Sequence, residues 1–168
     1  LEGHPDNAAA AVWGGIILAW IEGESVEVVR LSPAAGLACL AFVPDFEVPT
    51  SGARAVLPDA VARRDAVAQA IAAASLVKAL EQRPDLLLAA TTDRLHQHYR
   101  AELMPSSWHL LLRLREAGVP ATISGAGPAV FAIGTPDQLA LAGQVDASSF
   151  VRHDLAIGTG LELTVHVG

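Results

Sequence analysis

With 168 residues, 52% of them hydrophobic and 17% charged, the chain is long and apolar enough for one compact domain, or for a small domain and part of another. That composition excludes a disordered tail. The net charge of −7, with no basic cluster longer than Arg63-Arg64, excludes nucleic acid and anionic membrane surfaces as partners. Cys39 is the single cysteine, so an intrachain disulfide and a cysteine-based zinc site are also excluded. Between Ala38 and Leu40 it reads as a buried small hydrophobe. The longest apolar run, Ala8 to Ile21, has 14 residues split by Gly14-Gly15, short of the roughly 20 of a membrane span. Glu2 and Asp6 stand where a signal peptide would be basic, so the expected location is cytoplasmic. The opening Leu-Glu-Gly-His carries no initiator Met, and the chain is expected to be cut from a longer one.

In chain order, Asp6-Asn7 ahead of Ala8–Val12 predicts a helix N-cap and a short helix ended by Gly14-Gly15. Ile16–Ile21, Ser25–Leu31 and Leu37–Val43 read as three strands of an antiparallel meander, with turns at Glu22-Gly23-Glu24 and Ser32–Gly36. Pro44 to Pro58 is a Pro-, Gly- and polar-rich connection, and a domain boundary is placed near its end: residues 1–57 in one domain, 58–168 in the next. Apolar residues at 67, 70, 71, 74, 77 and 80 predict a helix over Arg64–Leu80. Pro84-Asp85 starts another that runs from Leu86 to about His96. Ser106/Ser107 are expected to cap a helix reaching Ala117, where Gly118 and Pro120 stop it. Strands follow at Val119–Ser124 and Ala129–Gly134, a helix from Pro136 to about Val145, and closing strands at Phe150–Ala156 and Leu161–Val167. Strands and helices interleaved in this way predict an α+β fold with helices on one face of a sheet.

Four polar clusters could carry chemistry. The first, Glu2-Gly3-His4-Pro5-Asp6-Asn7, precedes a helix, where free N–H groups and the dipole favour a polar ligand; a plain helix cap is the simpler alternative. In the second, Pro49-Thr50-Ser51-Gly52-Ala53-Arg54, a loop arginine can present its fork to a carboxylate or phosphate, or merely face solvent. The third is Asp93-Arg94-Leu95-His96-Gln97-His98-Tyr99-Arg100. His96 and His98, two apart, do not share a helix face and no third ligand follows, so no metal site is expected. In the fourth, Ser124-Gly125-Ala126-Gly127-Pro128, small residues between two strands allow close approach of backbone or an anion, or simply a tight connection. No G-x-x-x-x-G-K-[ST], G-x-G-x-x-G or G-x-S-x-G motif is present.

Taken in order, the clusters resemble the homoserine kinase family of the GHMP small-molecule kinases. Glu2 to Asn7 resembles that family's E-G-H-P-D-N signature, and Gly14-Gly15 follows where the family has it. Thr50, Ala53, Arg54, Val56, Leu57 and Pro58 resemble T-K-x-A-R-x-x-L-P. Asp93, Arg94, His96 and Arg100 resemble D-R-x-H-x-x-x-R, and Ser124 to Pro128 resembles the third GHMP motif. There are two departures: Ser51 stands where the family has a basic residue, and the upstream glycine-rich ATP loop P-x-x-x-G-L-G-S-S-A is not in this sequence.

The resemblance implies the end of a ribosomal-S5-like domain over residues 1–57, then a ferredoxin-like α+β domain over 58–168. It implies ATP-dependent phosphorylation of L-homoserine, on the way to threonine, with magnesium and a missing N-terminal segment as partners. A homodimer is left open. In the site it implies, Arg54 and Arg100 clamp the acceptor carboxylate, Asp6 meets the ammonium and Asn7 orients the hydroxyl. His4 and Thr50 add contacts, and Gly125, Ala126 and Gly127 lie near the phosphates. Some members use a carboxylate as general base, which makes Asp6, with Asn7, a candidate catalytic residue. The competing readings are a kinase of a different small alcohol such as mevalonate, and a non-catalytic amino-acid-binding module.

Overall fold

A computed structural model describes residues 5–161. Its contacts divide the chain into two units. One is Ala34–Leu155, and the other is formed by the described residues up to Pro33 and from Ala156 onward.

The smaller unit begins with α1 (Asp6–Trp13), followed by β1 (Ile16–Glu22) and β2 (Ser25–Leu31). The two strands pair antiparallel from Ile16↔Leu31 to Glu22↔Ser25, with Gly23 at positive φ in the two-residue turn between them. Gly14 ends α1, and there the returning chain passes so close that a Cβ would collide with the backbone of Thr159 and Gly160. Gly15 N–H donates to Gly158 O at 2.7 Å and Leu161 N–H to Val12 O at 3.0 Å, which fastens the returning segment. The double glycine therefore serves close backbone approach as well as ending the helix.

In the larger unit β3 (Ala38–Pro44) is followed by α2 (Thr50–Ala55), α3 (Arg63–Glu81), α4 (Leu87–Ala90), α5 (Pro105–Glu116), β4 (Ala121–Ile123), β5 (Val130–Gly134), α6 (Pro136–Ala140) and β6 (Phe150–Leu155). The sheet order is β4-β5-β3-β6 with antiparallel neighbours throughout. This is the split βαβ arrangement of a ferredoxin-like fold, with β3 as its first strand.

That topology corrects the expected grouping. The sequence pattern groups Leu37–Val43 in a meander with the two preceding strands and puts the boundary at residue 57, whereas the contacts divide the chain at Pro33/Ala34. The physical reason is alternation. On β3, Leu40 and Phe42 point to one face and are almost fully buried with Val130 and Ala132 of β5, a pairing β2 does not offer.

Leu110, Leu111 and Leu114 of α5 complete this core with Ala121, Ile123, Val119, Met104 and Leu139. Their spacing puts one helix face on the sheet, and Arg113 and Arg115 in the last turn complement the helix dipole. Ser106/Ser107 do not cap this helix. Pro105 is its first residue, Met104 precedes it, and Ser107 is fully buried with no hydrogen bond to its hydroxyl. The last helix is shorter than expected, passing at Leu141–Gln144 into a 3-10 turn, and a capping box of Thr135 and Gln138 starts it. The strand expected at 161–167 lies outside the described residues apart from Leu161.

β4 is an edge strand, and two of the backbone groups it turns outward are met by side chains. Ile123 N–H donates to Gln97 Oε1 at 2.7 Å, and Ala121 C=O accepts from Arg115 Nη1 at 2.8 Å. Arg115 also reaches Leu88 O, Thr91 Oγ1 and Thr92 Oγ1. Burial pushes its guanidinium below the ordinary value. These contacts occupy part of the edge that a further strand would need. No described helix is long and apolar enough to cross a membrane.

Candidate functional site

In the smaller unit, Asp6 and Asn7 are exposed on the first turn of α1. Neither is the N-cap. That position is Pro5, which has no side chain to offer, and Asp6 Oδ1 instead accepts the adjacent Asn7 N–H at 2.8 Å. The cap assigned to Asp6-Asn7 is thus displaced by one residue, and both polar groups stand on the helix itself. His4 lies outside the described residues.

In the larger unit three of the clusters converge. The second cluster, expected as an irregular connection, is the short helix α2, whose preceding residue Pro49 is extended. Helical spacing of four brings Thr50 and Arg54 to one face, and both are exposed. Ala53 is fully buried and anchors the helix.

The third cluster is a tight turn and not the end of a long helix. Asp93 takes over the backbone: Oδ1 accepts from Leu95 N–H at 2.7 Å and His96 N–H at 3.0 Å, and Oδ2 from Gln97 N–H at 3.3 Å. An aspartate that satisfies three successive N–H groups competes directly with helix continuation, so α4 stops at Ala90. Arg94 docks on α3, its N–H on Gln69 Oε1 at 2.9 Å and its Nη1 on Asp65 at 3.1 Å.

This turn delivers Arg100, which is 8% exposed. Its Nε donates to Ala53 O at 2.9 Å and its Nη1 to Gly125 O at 3.0 Å. One guanidinium therefore ties α2 to the Ser124–Pro128 loop. Burial pushes Arg100 below its ordinary pKa, the Asp93 carboxylate opposes that shift, and the charge of Arg54 adds to it. Two of the five N–H donors of Arg100 are engaged by backbone, which leaves the geometry of a bidentate contact to the remaining ones.

In the fourth cluster Ser124 N–H donates to Ala129 O at 2.8 Å and Gly127 N–H to Ser124 O at 2.9 Å, a closed turn. Gly127 has φ +95°, and a Cβ there would lie 2.5 Å from Met104 Cε and 3.2 Å from Ile123 Cγ2. Gly127→Ala is expected to cost about 1–3 kcal/mol through that backbone strain. A thermal melt would read this as a midpoint lower by roughly 3–10 °C.

Sequence reasoning did not single out Gln97, which is 6% exposed, nor the anchoring role of Asp93. The available signal was the aspartate itself, whose carboxylate can accept the backbone N–H two residues on, the pattern of an Asx-turn. A separate cavity of about 410 Å³ between β3, β6 and α6 is lined by Cys39, Arg152 and Asp154 among others, and none of the sequence-predicted site residues lines it. Among the described residues no cluster of His, Cys, Asp or Glu is grouped to hold a metal ion.

Residues 64–146 match the family model described as GHMP kinases C terminal. The chain is 52% identical over 161 residues to a homoserine kinase of Cutibacterium acnes, covering 96% of this chain and 54% of the relative. It is 50% identical over 137 residues to a homoserine kinase of Streptomyces coelicolor, covering 82% of this chain and 44% of that one. The chain spans about half the length of the curated relatives it matches. A solved homoserine kinase from Cytophaga hutchinsonii superimposes with a TM-score of 0.79 at 27% identity, covering 93% of this chain and 52% of the other. Mevalonate-3-kinase of Thermoplasma acidophilum, solved with mevalonate bound, gives 0.62 at 17% identity over 92% of this chain and 54% of its own, a likeness of fold alone. By sequence and by topology, the chain belongs to the GHMP kinases, within the homoserine kinase family.

Proposed function

We propose that the full protein bearing this chain transfers the γ-phosphoryl group of ATP to the hydroxyl of L-homoserine, and that this chain supplies the acceptor-binding part. The observation that carries the reading is that buried Arg100 bonds to Ala53 O, the carbonyl of the residue next to Arg54 on α2. Two arginines anchored at one short helix favour an anion, and the planar fork suits a carboxylate. The further roles are Asp6 for the ammonium, Asn7 for the hydroxyl, and His4 and Thr50 for additional contacts. Phosphoryl transfer asks for positioning and charge stabilisation more than for covalent help, and these residue types supply both. In this reading β1 and β2 belong to the end of the S5-like domain that precedes the ferredoxin-like one, and the protein is cytoplasmic.

ATP supplies the phosphoryl group, and the Ser124–Pro128 loop fits only part of its needs. Gly125 and Ala126 can offer N–H groups, Gly127 N–H is engaged by Ser124 O, and Pro128 has none. Two donors do not cradle a triphosphate, so the remainder of the cradle belongs to other parts of the protein. The described residues do not group into magnesium ligands, and no step is assigned to that ion.

The experiment that separates homoserine from mevalonate-like acceptors is Asp6→Asn, which keeps the shape and removes the charge. Homoserine binding, measured by calorimetry on the full protein, is expected to weaken about tenfold, the scale of one charge-assisted hydrogen bond. Binding of the des-amino analogue, 4-hydroxybutyrate, is expected to stay within about twofold. Equal losses for both ligands would remove Asp6 from the ammonium role.

A further inference from the structure

Gln97 is buried, chemically inert, and outside every acceptor role named above, yet its side chain reaches the strand that leads into the glycine loop. Its Oε1 accepts the outward N–H of Ile123 at 2.7 Å, one residue before Ser124. Three residues on along the same turn, Arg100 Nη1 donates to Gly125 O at 3.0 Å. The turn itself is fixed by Asp93, one of whose oxygens accepts Gln97 N–H at 3.3 Å. The loop is therefore held at two points, Ile123 and Gly125, by two side chains of a single rigid turn. β5 cannot supply the first of these contacts, because Ser124 N–H donates to Ala129 O and the alternation of an antiparallel ladder then turns Ile123 N–H away from it.

We propose that Gln97 is a positioning residue for phosphoryl transfer, which sets the Ser124–Pro128 loop through Ile123 in step with the arginine that Arg100 presents to the acceptor side. The proposal rests on the kinase reading given above. Gln97 touches neither substrate. It fixes the place of the Gly125 and Ala126 N–H groups relative to Arg100, and a misplacement of the loop slows transfer without altering how the acceptor carboxylate is bound.

The test uses the complete kinase with Gln97→Met, which removes the acceptor at nearly constant volume, and Gln97→Glu, which keeps an acceptor oxygen in either protonation state. In Gln97→Met the hydrogen-bonded amides of Ile123, Ser124 and Gly127 are expected to exchange at least about tenfold faster, the scale of losing one buried hydrogen bond. Val130 and Ala132 should keep their rates. In the same variant kcat is expected to fall roughly tenfold while the KM for homoserine stays within about twofold. Gln97→Glu should restore both readouts. An unchanged loop, or a uniform acceleration of all amides that Gln97→Glu does not rescue, would overturn the clasp. A loosened loop with undiminished kcat would overturn the positioning role. A loosened loop in a native protein that phosphorylates no homoserine would instead overturn the kinase reading and leave the clasp standing.

Discussion

Arg54→Ala, made in the complete kinase, is expected to lower kcat/KM for L-homoserine by roughly 30- to 5000-fold, the equivalent of about 2–5 kcal/mol for one partner of a desolvated charge pair. The KM for ATP should stay within about twofold, because in the proposed clamp the lost contact belongs to the acceptor alone. The side chain stands exposed on α2, so the thermal midpoint should move little. Arg54→Lys should fall between the two, since an ammonium keeps the charge and loses the planar fork. A binding measurement with homoserine and with its amide, which lacks the carboxylate, sharpens the test. The variant should lose discrimination between them, and unchanged homoserine kinetics would remove Arg54 from the clamp.

Much of this architecture was legible from the chain's own chemistry, and the exceptions share a cause. The apolar stripe at 67, 70, 71, 74, 77 and 80 marked α3 almost to the residue, because a long helix writes its period many times over. β5 was marked by its apolar run, and β1 and β2 by their β-branched residues and the Gly23 turn. The partner of β3 was not legible. Leu37–Val43 looks the same whether it pairs with β2 or with β5, and only the long-range register of Leu40 with Ala132 and Phe42 with Val130 decides. The ends of α4 and α5 were misplaced for a similar reason. Asp93 accepts backbone N–H groups that a residue pattern does not display, and Pro105, which has no N–H of its own, starts α5 ahead of the two serines. Of the candidate site, the charged residues stood out by their types alone, which suggest an anion-binding role and do not fix it. Gln97 was not, since a neutral amide declares nothing until its single buried partner is known. Arg100 was legible as a cation, while its bonds to Ala53 O and Gly125 O were not.

Those two bonds make Arg100→Ala the more damaging substitution of the pair. The side chain is 8% exposed, and its loss leaves two carbonyls beneath α2 and the glycine loop without their donors. Ala53 is fully buried, so its unsatisfied carbonyl costs about 1–3 kcal/mol, while Gly125 is exposed and its carbonyl can turn to water; a loss of roughly 1–3 kcal/mol in stability is expected. That loss should lower the thermal midpoint where Arg54→Ala does not. The same guanidinium also faces the acceptor in the proposed clamp, so homoserine binding per folded molecule should weaken at least as much as in Arg54→Ala. Calorimetry well below the lowered midpoint separates the two effects, because only folded protein then contributes. The charges of Arg54 and Arg100 act on each other, so their combined removal should cost less homoserine affinity than the sum of the single losses. A thermal midpoint that falls while homoserine affinity per folded molecule holds would leave Arg100 as the strut between α2 and the glycine loop, and would assign the acceptor carboxylate to Arg54 alone.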